Sequence, residues 1–155
     1  MSVDQSRLRD SLDALLRVRA ARGKDGRRRD HRRALGRYGE KLARQHLRAR
    51  GFTLLARNYR TRHGEIDLIA FDGGTLVFVQ VKTHQIRTAQ TGMWESPLEW
   101  LSASQLARYR QVAQEYLDDK RHKASAAQSM GFDAIGVLLD AEGAMVELRH
   151  VEGGE

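Results

Sequence analysis

Cysteine is absent from the 155-residue sequence, which excludes disulfides and thiolate metal sites and suits a reducing compartment. Long hydrophobic runs are missing too. Runs such as Leu76 to Val79 and Val137 to Leu139 are strand-sized and far short of a membrane span. The opening residues Met1 to Ser6 start no apolar segment of the secretory kind, and five aspartates before residue 34 argue against an acid-poor transit peptide. Together these absences predict a cytoplasmic protein with no membrane partner. No internal repeat is found.

What is present is enough apolar material for a core, 41% of residues, and a surplus of positive charge, +7 overall. Such a balance favours polyanions, nucleic acid first; a solvated basic surface with no partner is the alternative. The surplus is uneven. Residues 1–33 hold 11 Lys and Arg against 5 Asp, whereas residues 34–155 hold 16 against 15 acids. Leu8, Leu12, Leu15 and Leu16 recur at helical spacing, so residues 4–21 read as an amphipathic helix. Gly23 to Gly26 then interrupt it, and Arg27 to Arg33 read as a charged linker. Residues 1–33 are thus expected to be a basic extension, helical or partly disordered, that touches nucleic acid or a partner, or else packs on the domain formed by residues 34–155.

Within that domain, residues 34–50 read as a helix stopped by Gly51. Leu35, Tyr38, Leu42, Ala43, His46 and Ala49 share one side, and Arg37, Lys41, Arg44 and Arg48 share the opposite side. A solvated face mixes its signs, so the cationic stripe points to phosphate contact. Glu40 lies on the border and is the only acid from 34 to 64. Strands are expected at Phe52–Tyr59, Glu65–Phe71 and Thr75–Lys82, the last two joined through Asp72-Gly73-Gly74. Residues 83–101 read as irregular, with Gly92 and Pro97. Met93, Trp94 and Trp100 there either stack on bases or pack over the sheet or a dimer partner. A second helix, 103–118, has Ser102 or Ser104 as its N-cap, with Leu106, Tyr109, Ala113, Tyr116 and Leu117 as its apolar side. Two strands, Phe132–Leu139 and Ala144–Val151, close the chain around Gly143.

If Gly73-Gly74 is a two-residue turn, Asp67 lies opposite Gln80 and Glu65 opposite Lys82, on a face shared with Ile69, Phe71, Leu76 and Phe78. Ile66, Leu68, Ala70, Val77, Val79 and Val81 form the other face. Both faces are apolar, so these are central strands covered on both sides. Charge in such a place is costly unless it is paired or holds a metal. A Glu65–Lys82 ion pair is one reading. A Mg²⁺-dependent phosphodiester site is the other, with oxygen ligands for a hard cation and a lysine to orient water and offset phosphate charge. His63 and His84 flank the site, as substrate contacts or as ordinary surface residues.

Gly36-Arg37-Tyr38-Gly39-Glu40, Arg57-Asn58-Tyr59-Arg60, Gly64-Glu65-Ile66-Asp67-Leu68-Ile69-Ala70 and Leu76-Val77-Phe78-Val79-Gln80-Val81-Lys82 resemble, in order and with correct gaps, the UPF0102 (YraN) family. The resemblance is weaker through 103–118 and Phe132-Asp133 and does not reach residues 1–33. That family is similar to Holliday-junction resolvases of the restriction-endonuclease-like superfamily. The resemblance implies an α/β fold with a restriction-endonuclease-like core, a mixed sheet of four to five strands flanked by helices, here with an extra N-terminal segment. It also implies Asp67 as the metal-binding acid, Lys82 as the catalytic lysine and Glu40 as an acid supplied by the first helix. Gln80 stands where the pattern has glutamate; its amide oxygen can still serve as a ligand, and some active superfamily members carry glutamine there. Gln105 and His84 replace a lysine and an arginine.

The expected function is therefore a Mg²⁺- or Mn²⁺-dependent endonuclease, with DNA favoured over RNA. Asp67, Gln80 and Glu40 would hold the metal, Lys82 would assist, and Arg37, Lys41, Arg44 and Arg48 would bind substrate. The alternatives are a binding module that has lost catalysis, and a protein–protein adaptor that forms a homodimer through the N-terminal helix or the 91–101 loop.

Overall fold

The computed structural model describes residues 24–86, 102–119, 121–122 and 127–153. The expected helix at 4–21 and the Met93, Trp94 and Trp100 segment lie outside these residues. Helix α1 (Lys24–Ala49) leads into strands β1 (Thr53–Thr61), β2 (Gly64–Phe71) and β3 (Thr75–Gln85). Helix α2 (Ala103–Asp118) follows, and β4 (Ser129–Leu139) and β5 (Met145–Glu152) complete the described fold. The five strands form one sheet in chain order. β1, β2 and β3 are antiparallel neighbours, β4 and β5 likewise, and β3 runs parallel to β4. This is the expected α/β architecture, a mixed sheet flanked by helices, consistent with a restriction-endonuclease-like core.

The stretch Arg27 to Arg33, expected as a linker, is helix, and the expected boundary at 33/34 falls inside α1. Arginine is a good helix former, and Gly26 costs only about 1 kcal/mol. Buried Asp30 and Ala34 attach this part to the domain. The buried side of α1 continues with Leu35, Tyr38, Leu42, Ala43 and Leu47; Leu47 takes the place expected for Ala49, which is exposed. At the far end Gly51, with φ +90°, lets its own amide reach the Arg48 carbonyl at 3.0 Å and the Phe52 amide reach Leu47 at 3.0 Å. Both bonds of a Schellman stop are therefore made.

α1 covers one face of the sheet, packing on Leu68, Ala70, Val77, Val79, Val81, Ile135 and Val137. α2 covers the other through Val112, Ala113 and Tyr116, against Ile69, Leu76 and Phe78. Central strands buried on both faces were the expectation, and their near-continuous apolar composition follows from it. α2 starts in a capping box, in which Ser102 Oγ accepts the Gln105 amide at 3.2 Å and Gln105 Oε1 accepts the Ser102 amide at 3.0 Å. At the β2–β3 turn, Asp72 Oδ1 accepts the amides of Gly74 and Thr75 at 3.0 and 2.7 Å. Among the described residues no helix is long and apolar enough to cross a membrane.

Candidate active site

Strands β2 and β3 pair in the expected register from Phe71–Leu76 to Leu68–Val79 and then part. Beyond that point β2 stays with β1 as far as Gly64 opposite Thr61, while β3 stays with β4 as far as Gln85 opposite Leu139. The two strands therefore open as a fork at the centre of the sheet. Asp67 sits at its crotch, buried, with Oδ2 accepting the Val81 amide at 2.8 Å. Strict alternation fails here, because Ile66, expected on the face of Leu68, packs with Ile69 and Phe78 on the α2 side. The Glu65–Lys82 ion pair, one of the two readings of this end of the hairpin, does not form. Glu65 Oε2 instead holds Arg60 at 2.7 Å, since Arg60 is its partner across β1–β2 and Lys82 has left with β3.

Glu40 is delivered to the fork by a close crossing of α1 over β3. A Cβ on Gly39 would overlap the side chain of Thr83, so glycine is needed for the helix to lie that near the strand carrying Lys82. Asn58, in the left-handed region at φ +52°, sets its side-chain amide 3.3 Å from Glu40 Oε2 and Glu65 Oε1, and turning that amide over presents its nitrogen to both carboxylates. Asparagine tolerates that backbone better than other side-chain-bearing residues.

The electrostatics of the fork favour added positive charge. Burial, then Asp67, raise the Glu40 carboxyl to about 7, and Glu65 adds to this while Arg44 and Arg57 offset it in part. Burial raises Asp67 to about 6, with Glu65 adding, against the lowering effects of the Val81 hydrogen bond and Lys82. Burial and the Asp67 charge also raise Tyr109.

Clefts open on both sides of the fork, and Glu65 belongs to the wall of each. On the α2 side, Asp67 and Gln80 line a cleft of about 290 Å³ with His63, Gln105, Arg108 and Tyr109. On the α1 side, Glu40, Asn58, Arg60, Arg33 and Arg37 line one of about 430 Å³. Of the four cations expected to bind substrate, Arg37 alone lines either of these clefts. Arg44 stands beside Glu40, Arg57 and Arg48, Lys41 is half-buried, and Arg48 is exposed. His63 Nδ1 meets Glu115 Oε1 at 3.0 Å, and His84 follows Lys82 on β3.

Among the described residues no three acidic or histidine side chains converge to enclose an ion by themselves. The donors gathered at the fork are nonetheless all oxygens: the carboxylates of Asp67, Glu40 and Glu65 and the amide of Gln80. That set suits a hard cation of the Mg²⁺ type, which keeps several waters and is held by one or two carboxylates together with substrate phosphate. Asn58, Tyr109 and Arg108 were not among the expected site residues, and Glu65 was expected at the site but not as a ligand. Asn58 and Glu65 stood in the recognised motifs, whereas Tyr109 read only as part of an apolar stripe.

A model of the uncharacterised protein family UPF0102 matches residues 39–137. The chain belongs to that family. A UPF0102 protein of Desulfitobacterium hafniense (strain Y51) is 38% identical over 125 residues, spanning 80% of this chain and 98% of the relative. A UPF0102 protein of Acidothermus cellulolyticus is 49% identical over 116 residues, spanning 69% and 83%. One from Streptomyces griseus is 38% identical over 120 residues, spanning 77% and 94%. The residues matched by the UPF0102 model begin one position before Glu40 and end in β4. They therefore contain the whole fork but not the first fifteen residues of α1, 24–38.

Proposed function

We propose that this UPF0102 protein is a divalent-metal-dependent endonuclease that hydrolyses phosphodiester bonds in nucleic acid, DNA in preference to RNA, at the β2–β3 fork. The observation that carries the reading is the departure of the two central strands at Asp67. It gathers Glu40, Glu65, Asp67 and Gln80, with Lys82 acting on Asp67, at one open end of an otherwise apolar sheet. A structural ion pair would need none of this opening. Asp67 commits Oδ2 to Val81, leaving Oδ1 to face a cation, and Gln80, Glu40 and coordinated water would complete its surroundings. A bound Mg²⁺ or Mn²⁺ supplies Lewis-acid polarisation of the phosphate and a water of lowered pKa.

The chain's own groups do the rest. Lys82 brings a cationic head to the side of Asp67, where it offsets charge on the phosphoryl oxygens and holds the attacking water. Asn58 holds the two glutamates together.

A second reading, a nucleic-acid-binding module without catalysis, is favoured by one observation. Gln105, at a lysine position of the resemblance, spends its side chain on the α2 cap. End-labelled duplex, single-strand, flap and four-way-junction substrates incubated with Mg²⁺ or Mn²⁺ separate the two. Metal-dependent cutting that disappears in Asp67→Ala and Lys82→Ala supports the nuclease. Retention of substrate in gel shifts with no cutting leaves the binding module.

A further inference from the structure

The acids of the fork account for one side of α1 from residue 40 onward, but not for the residues ahead of it. Arg28, Arg29, Arg32, Arg33 and Arg37 are all exposed on this part of the helix. At 100° per residue, Arg29, Arg33 and Arg37 fall within about 80° of one another and on the side that also carries Glu40. They climb the helix in steps of about 6 Å, so the row runs from the α1-side cleft outward for about 12 Å. Arg33 and Arg37 are themselves walls of that cleft, with Arg60 beside them and Glu40 and Glu65 within it.

Arg28–Arg32, Arg29–Arg33 and Arg33–Arg37 are like-charge pairs at the spacing where neighbours repel. A helix selected only for stability would alternate signs there. Among the described residues, none of these arginines forms a salt bridge that would relieve the repulsion, and Arg37 turns its Nε to the Arg33 carbonyl. The row is also fixed in place. Asp30 and Ala34 are buried, and His31 Nε2 meets Gln85 Oε1 at 2.9 Å, while Gln85 Nε2 donates to the carbonyls of Asp140 and Ala141 at 3.1 Å each. The guanidinium groups therefore sit on a helix pre-set relative to the fork, which lowers the ordering cost of binding.

We propose that Arg29, Arg33 and Arg37 form a phosphate-binding arm. It holds the backbone of a nucleic-acid strand and leads it through the α1-side cleft to the fork. This rests on the reading of the fork as a nucleic-acid site and adds the path by which the strand arrives. The family-model match begins just past the arm, at residue 39, although Arg37 stands in the motif Gly36 to Glu40 that resembles the family. An anionic membrane is the competing polyanion, but a surface-bound helix inserts large apolar side chains beside its basic face. Here the apolar side of α1 is already buried against the sheet, and the exposed large hydrophobics among the described residues, Met130 and Val146, lie on β4 and β5.

The test uses the full-length protein carrying Asp67→Ala, in chelator, so that cleavage plays no part. Affinity for fluorescent duplex and single-strand oligonucleotides is measured against salt concentration. Arg29→Gln, Arg33→Gln and Arg37→Gln together should reduce the slope of log affinity against log salt by about 2.7 for duplex and about 2 for single strands. A charge-matched control, Arg110→Gln, Arg121→Gln and Arg149→Gln, should reduce it far less. Circular dichroism and thermal melting check that both variants are folded. An unchanged slope in the arm variant, or an equal loss in the control, overturns the arm. So does loss of binding to anionic phosphatidylserine vesicles with oligonucleotide binding intact. Arm-dependent binding by a wild-type protein that cuts nothing would sink the nuclease reading alone. Cutting with an arm variant of unchanged slope would sink the arm alone.

Discussion

Asp67 Oδ2 accepts the Val81 amide at 2.8 Å, so a side chain stands where a rung of the β2–β3 ladder would otherwise be. The bond needs an oxygen acceptor, not a charge. Asp67→Asn keeps the acceptor and removes a carboxylate whose ionisation burial opposes. At pH 8 in chelator this variant should be more stable than wild type by roughly 1–3 kcal/mol, raising Tm by roughly 3–8 °C. It should also abolish metal-dependent cutting. A melting point at or below wild type would show that the carboxylate is stabilised in the fold after all.

Stability in the metal-free protein should fall as pH rises across the weakly acidic range. Glu40 and Asp67 hold their protons more tightly in the fold, to about 7 and about 6, than in an open chain. Their contribution is complete below the usual carboxylate pKa, near 4, and is lost as pH rises through those raised values. Melting from pH 4.5 to 8 in chelator should show this decline. The double variant Glu40→Gln, Asp67→Asn should flatten it, and so should Mg²⁺ added to wild type. A decline of equal slope in the double variant would place the pH response elsewhere.

Gln80 gives the site an oxygen without a charge. Gln80→Glu should tighten Mn²⁺ binding about tenfold, because carboxylate count sets the affinity of such sites. It should also lower the Tm of the chelated protein, since a further acid repels Asp67. Calorimetric titration reads the first effect and melting the second. Weaker Mn²⁺ binding would remove position 80 from the ligand set.

Two glycines of α1 should respond to alanine in opposite ways. A Cβ on Gly36 would have nothing within 4 Å, so Gly36→Ala should stabilise by about 0.5–1 kcal/mol through helix propensity. Gly39→Ala meets Thr83 and should destabilise by about 1–3 kcal/mol. Displacing α1 also moves Glu40, so cutting should drop with it. Pairing Gly39→Ala with Thr83→Ala should recover much of both losses. Melting of the three variants beside wild type checks the signs.

Most of the local structure could be read from the chain because it depends on local rules. The Asp72-Gly73-Gly74 turn set the register that opposes Asp67 to Gln80, and Ser102 and Gly51 marked helix ends through caps made within a few residues. What depended on a partner could not be read. β3 runs on to Gln85 because β4 is there to pair with it, and Glu65 turns to Arg60 because β2 follows β1 at the fork. Arg27 to Arg33 carried the composition of a linker and became helix through burial of Asp30 and Ala34. Asn58 stood in a recognised motif, yet its bridging of Glu40 and Glu65 required a positive φ and two side chains from different elements.

The order of the sheet also has a kinetic consequence. β1, β2 and β3 meet through short turns, as do β4 and β5, so each group can form from contacts close in the chain. Joining them requires β3 to find β4 across the whole segment from Gln85 to Ser129, which carries the largest loop-closure cost in the fold. All six polar groups of the fork and its bridge, from Glu40 to Lys82, are on the earlier side of that join. Until it is made, β3 presents an open, apolar edge, and that edge is where a slowly folding chain is most exposed to pairing with another copy of itself.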